Sequence, residues 1–133
     1  MCAASNSKSV AEKTFTAMVG GKVTLPCRTQ VPTPVNWIYR SSANAHSITI
    51  CSAGNIMNGY TERFVLDRDV PGDYSLIIRS VTREDAGLYI CREDIGQGTE
   101  HRAILIVYGK ISIFKVSYNC SESLLIKVYY CQK

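Results

Sequence analysis

The stretch Glu84-Asp85-Ala86-Gly87-Leu88-Tyr89-Ile90-Cys91, "EDAGLYIC", decides the fold. A tyrosine stands two residues before a cysteine, and an aspartate stands four residues before the tyrosine. A helix does not account for that order, because Gly87 carries an entropic penalty in a helix interior. Leu88 to Cys91 is short and rich in strand formers. Read as a strand, the segment places Tyr89 and Cys91 on one face and Ile90 and Arg92 on the other. The partners of that inner face lie elsewhere in the chain.

Working outward, strand signals recur between turn residues. "GGKVTLPCR" alternates Val23, Leu25 and Cys27 against Lys22, Thr24, Pro26 and Arg28, a half-buried strand after a Gly-Gly turn. Pro26 lacks an amide hydrogen, so the ladder must have a gap or a bulge there. "TPVNWIYR" alternates again, with Val35, Trp37 and Tyr39 on one face and Ile38 and Arg40 on the other. "SITIC" (47–51), "ERFVLD" (62–67), "DYSLIIR" (73–79) and "HRAILIVY" (101–108) supply further strands. Many short strands with no amphipathic helix between them predict an all-β sandwich or barrel.

The totals narrow the function classes. The 133 residues, 46% hydrophobic and 20% charged, suit one domain with a tail. A net charge of +4 is spread without a run of like charges, which disfavours a nucleic-acid partner. Six cysteines (Cys2, Cys27, Cys51, Cys91, Cys120 and Cys131) contain no CxxC pair, and His46 and His101 stand at no useful ligand spacing. The chain is therefore expected to hold no metal or cofactor, and its cysteines fit disulfides in an oxidising compartment. Six cysteines allow 15 connectivities. No apolar run reaches the roughly 20 residues of a membrane helix, and "MCAASNSKSV" lacks a signal-peptide core. If secreted or surface-anchored, the chain reads as a processed or excised piece, with Met1 an expression start.

Cys27, Trp37 ten positions later, and Cys91 preceded by Tyr89 resemble the Cys–Trp–Cys set of the immunoglobulin β-sandwich. The resemblance implies a Cys27–Cys91 disulfide between two sheets, with the Trp37 indole packed on it and the Tyr89 hydroxyl holding the corner before its strand. Such a bridge over 64 positions is worth roughly 4 kcal/mol in the chain-entropy account. Residues 10–108 resemble a variable-type (V-set) domain, similar to primitive V or V–J type chordate immune receptors, between an extension at 1–9 and a tail at 109–133. The likeness implies strands C′ and C″ at Ile48–Cys51 and Asn55–Met57, an Arg63–Asp85 ion pair, and Leu76, Ile78 and Val81 in the core. "GQGT" (96–99) resembles the joining-segment motif of antigen receptors. Falling so soon after Cys91, it also reads as the tip of the hairpin between the last two strands.

Function is expected in binding, not catalysis, since no Ser/His/Asp set, metal cluster or phosphate loop occurs and Cys51 is the one conceivable nucleophile. Ile38, Arg40, Ile90 and Arg92 face outward on strands C and F, and the V-set register sets Cys51 on or beside that surface. Strand G is apolar on both faces at Ile104 to Val107, so an exposed apolar patch results, of the kind that marks an association surface. Ile38 and Ile90 are its expected hot spots, with the two arginines as a polar rim. End loops carrying Asp94, Gln97 and Glu100 form a second candidate surface. The resemblance implies an extracellular or cell-surface immune-type receptor or adhesion domain that binds a protein partner, a second copy above all. The rival expectation is a secreted domain that recognises polysaccharide through its end loops. Among the other cysteines, Cys120 and Cys131 are able to close a C-terminal loop, and Cys2 and Cys51 to pair or stay free. The tail is open to reading as a connector, a truncated next domain or an added strand.

Overall fold

The computed structural model describes residues 12–29, 33–42, 44–93 and 100–109, together with the strand backbone of 119–122 and 129–132. Among the described residues, eleven strands follow in order: β1 (Glu12–Met18), β2 (Val23–Leu25), β3 (Val35–Arg40), β4 (Ile48–Ser52), β5 (Asn55–Ile56), β6 (Phe64–Asp67), β7 (Ser75–Ile78), β8 (Gly87–Glu93), β9 (Glu100–Tyr108), β10 (Asn119–Glu122) and β11 (Tyr129–Gln132). The front sheet runs β1-β9-β8-β3-β4-β5, and the back sheet runs β2-β7-β6. β1 runs parallel to β9, and the other pairs among the described strands are antiparallel. The strand "EKTFTAM" was not expected from the sequence. Among the described residues, β10 and β11 pair with each other and join neither sheet of the sandwich.

The two layers enclose Leu25, Trp37, Leu76, Ile78, Val81 and Leu105 with the Cys27–Cys91 disulfide, whose Cα atoms are 6.4 Å apart. Complete burial of each large aliphatic contributes about 1.5–3 kcal/mol. Trp37 is fully buried, and its indole nitrogen donates to the Tyr74 carbonyl at 2.9 Å, which satisfies the ring's one polar group. Pro26 ends β2 as its missing donor requires. The next amide, Cys27, donates instead to the Ser75 hydroxyl at 3.2 Å.

A 3-10 turn at Arg83–Asp85 leads into β8 and forms the expected corner. Tyr89 Oη donates to the Asp85 carbonyl at 2.6 Å. The Asp85 carboxylate accepts two bonds from the Arg63 guanidinium, at 2.6 and 3.0 Å, and one from the Thr82 amide at 2.7 Å. Tyr39 also reaches this corner, its hydroxyl within 2.6 Å of the Ala86 carbonyl and 2.8 Å of that of Glu84. Gly87 has a φ of 147°, and a Cβ there would stand 2.5 Å from the Arg40 carbonyl oxygen. Only glycine lets β8 enter so close beside β3.

One outward placement expected from the sequence, that of Cys51, and one expected exposure, that of Ile90, are corrected. Cys51 is completely buried in the core. The β3–β4 register slips between Trp37 and Ile38, which pair with Cys51 and Thr49, so Ile50 is an extra residue on β4. A bulge of this kind breaks alternation, and Ile50 and Cys51 both turn inward. Ile90 lies on the outer side of β8 as alternation requires, yet it is only 1% exposed. An arginine at position 90 would therefore test folding, not binding.

Candidate partner-binding face

The front sheet turns its second face away from the core, and four neighbouring strands build it. On β9, Ala103 and Leu105 are buried in the core, so Arg102, Ile104 and Ile106 alternate outward. On β8 the outward residues are Leu88, Ile90 and Arg92, and on β3 they are Asn36, Ile38 and Arg40. On β1, Ala17 is buried, and Glu12, Thr14, Thr16 and Met18 point out. Register then sets the neighbours: Ile38 faces Ile90, Leu88 faces Ile104, Thr16 faces Ile106, and Met18 faces Tyr108.

This face has two halves. One is largely apolar, from Leu88, with Arg40 beside it, across Ile104 to Ile106 and Met18, the last two 41% and 49% exposed. The other is an ion-pair ladder across three strands. Arg92 donates to Glu100 at 2.6 Å, Arg102 to the other Glu100 oxygen at 2.7 Å, and Arg102 also meets Glu12 at 3.4 Å. Burial raises the Glu100 carboxyl, but the bonds from Arg102 and Arg92 outweigh it and hold its pKa below the ordinary value. Two arginines against two glutamates leave the ladder neutral.

The expected site residues divide accordingly. Ile38, Arg40, Ile90 and Arg92 do share one sheet face, with Ile38 half-buried and Ile90 beneath the surface. Arg92 spends its charge on Glu100, and Arg40 donates from Nε to the Ser47 hydroxyl at 2.8 Å. Glu100, expected in an end loop, begins β9 and anchors the ladder. Asp94, Gln97 and the "GQGT" segment lie outside the described residues. Arg102, Glu12 and Met18 were missed. The alternation of Phe15 and Ala17 with Thr14, Thr16 and Met18 is the signal in "EKTFTAM" that identifies β1.

Among the described residues, no three His, Cys, Asp or Glu side chains stand together as metal ligands. Burial raises the Cys51 thiol, and its Sγ donates to the Val35 carbonyl at 3.6 Å. That setting keeps the sulfur protonated and inert. A cleft between Tyr39, Ile48, Tyr60 and Arg63 encloses about 140 Å³, less than the roughly 300–1,000 Å³ usual for small-molecule sites.

Comparison with known proteins agrees with this architecture. No curated protein matches the sequence. Among solved structures, the ZIG-8 IG1 homodimer superposes with a TM-score of 0.62 at 13% identity, covering 74% of this chain and 81% of that one. The ZIG-8–RIG-5 IG1–IG1 heterodimer gives 0.62 at 13% identity, covering 78% and 89%. At such identity the likeness speaks for the fold. Residues 10–108 match the immunoglobulin V-set domain family, and the chain belongs to it.

Proposed function

We propose that this chain is an extracellular recognition domain of receptor or adhesion type, and that its front sheet binds a protein partner, in the first place a second copy of itself. One observation carries the reading: an exposed apolar strip ending in Ile106 and Met18 lies beside a charge ladder that is neutral within one chain. A two-fold contact brings a patch against its own copy. A patch of one charge sign would repel that copy, whereas a neutral ladder beside an apolar strip does not. Two structures of like fold are a homodimer and a heterodimer of IG1 domains, which supports pairing as a use of such a domain. The domain acts by binding alone.

Light scattering of the full chain over a concentration series tests the proposal. The expected result is a monomer–dimer equilibrium that Ile106→Arg shifts to monomer while the thermal midpoint stays within a few degrees. Ile106 is 41% exposed, so the fold tolerates that change. A wild-type mass that stays monomeric at every concentration would refute self-association.

A further inference from the structure

Four cysteines remain once Cys27 and Cys91 are joined, and the structure restricts how they combine. Cys51 is sealed in the core with a free thiol, so a bond from it to any other cysteine requires the sandwich to open. That leaves Cys2, Cys120 and Cys131. In the β10–β11 pair, Cys120 stands directly across from Cys131, flanked by the pairs Asn119–Gln132 and Ser121–Tyr130. Residues directly opposite in an antiparallel pair have Cα atoms about 4.5 or 5.5 Å apart, depending on whether they share hydrogen bonds. Disulfides span Cα separations of about 4.4–6.8 Å. Either position of the pair thus falls inside the window without backbone movement.

We propose that Cys120 and Cys131 form a second intrachain disulfide, which staples the C-terminal hairpin independently of the sandwich. The reaction is thiol–disulfide exchange with a disulfide oxidant such as oxidised glutathione. One thiolate attacks the oxidant and forms a mixed disulfide, releasing one reduced thiol. The second thiolate displaces the other half, so two electrons and two protons leave the protein and the oxidant becomes two thiols. A two-stranded hairpin alone is marginally stable in water. Ten residues separate the two cysteines in sequence, and a cross-link removes the open states available to that loop. The same bond occupies the middle residue of Asn119-Cys120-Ser121, setting the sequon in a closed strand pair.

Tryptic mapping of the full chain, expressed oxidatively and alkylated before any reduction, reads the pairing directly. Cleavage after lysine yields Val116–Lys127, which holds Cys120, and Val128–Lys133, which holds Cys131. The expected product is those two peptides joined, taken from the monomer band of a non-reducing gel and separated by reductant. Without reductant, the denatured chain should expose two alkylatable thiols, six cysteines less the four in two bridges, and Cys131→Ser should raise the count to three. Serine at 131 is chosen because replacing Cys120 would improve the sequon. Either tail peptide joined to Met1–Lys8, joined to its own copy, or recovered alkylated overturns the assignment. So does a joined pair found only in a dimer band, because the bond would then lie between chains.

Discussion

Asp85 is the residue on which the corner turns. Its side chain is 7% exposed, and it holds three hydrogen bonds, two from Arg63 and one from the Thr82 amide. Removing one partner of a buried pair leaves the other charge uncompensated, at a cost of about 3–5 kcal/mol. Arg63 is 34% exposed and finds water when abandoned, so Asp85→Ala should cost about 3 kcal/mol, near the low end of that range. Urea denaturation measures it, and a loss below about 1 kcal/mol would make the ion pair an ornament of the surface. This much was legible in the sequence because Asp85, Gly87, Tyr89 and Cys91 fall within one short stretch. The role of Tyr39 was not legible. Its ring packs 4.9 Å from that of Tyr89 and its hydroxyl reaches the same corner across 45 and 47 positions of chain. No local pattern announces a contact so distant in sequence.

At the scale of elements, the β4–β5 hairpin carries a local cost. Its two-residue turn, Ala53-Gly54, closes the Ser52–Asn55 pair with φ values of 47° and 78°. Positive φ at both positions is the type I′ arrangement, which matches strand twist and favours Asn-Gly. Alanine pays roughly 1 kcal/mol for the left-handed region, where asparagine is tolerated. Its amide donates to Asn36 Oδ1 at 2.8 Å, and any side chain keeps that donor. Ala53→Asn should therefore stabilise the domain by about 0.5–1 kcal/mol, visible as a higher urea midpoint at unchanged slope. A lower midpoint would mean that the turn is not held as described. The strands themselves were legible where one face is dry, as in "VNWIYR" and "SLII". Where both faces are partly wet, as along "EKTFTAM", burial alternates only weakly and the strand escaped notice. The misplacement of Cys51 has another cause, since one extra residue on β4 inverts every face beyond it and leaves no mark in composition.

At the scale of the whole molecule, the two sheets are held together by a disulfide, a buried indole and a corner whose tyrosines must stay neutral. Burial raises the Tyr89 hydroxyl pKa well above its ordinary 10.0, and the Asp85 charge adds to the effect. Burial and then Asp85 likewise raise Tyr39 from 10.0. When a folded pKa exceeds the unfolded one, the unfolded chain releases its proton first as pH climbs. The contribution is intact below pH 10 and drains away above it, by up to about 1.4 kcal/mol per pH unit for the buried Tyr89 and by less for the more exposed Tyr39. Stability should thus be level through neutral pH with respect to these groups and fall steeply beyond 10. Glu100 acts at the opposite end with the opposite sign. Its lowered pKa keeps the ladder paired above the ordinary 4.5 and yields it only as pH drops through the folded value. The alkaline loss needs its own control. Tyr89→Phe removes the hydroxyl that donates to Asp85 and should lower neutral stability by about 1–2 kcal/mol. It also removes the ionisable group, so its stability must decline less steeply than wild type between pH 10 and 11. Denaturant midpoints measured across that interval decide the matter. Parallel curves for the two proteins would show that some other group drives alkaline unfolding and that the corner tyrosine is no more reluctant to ionise than a free one.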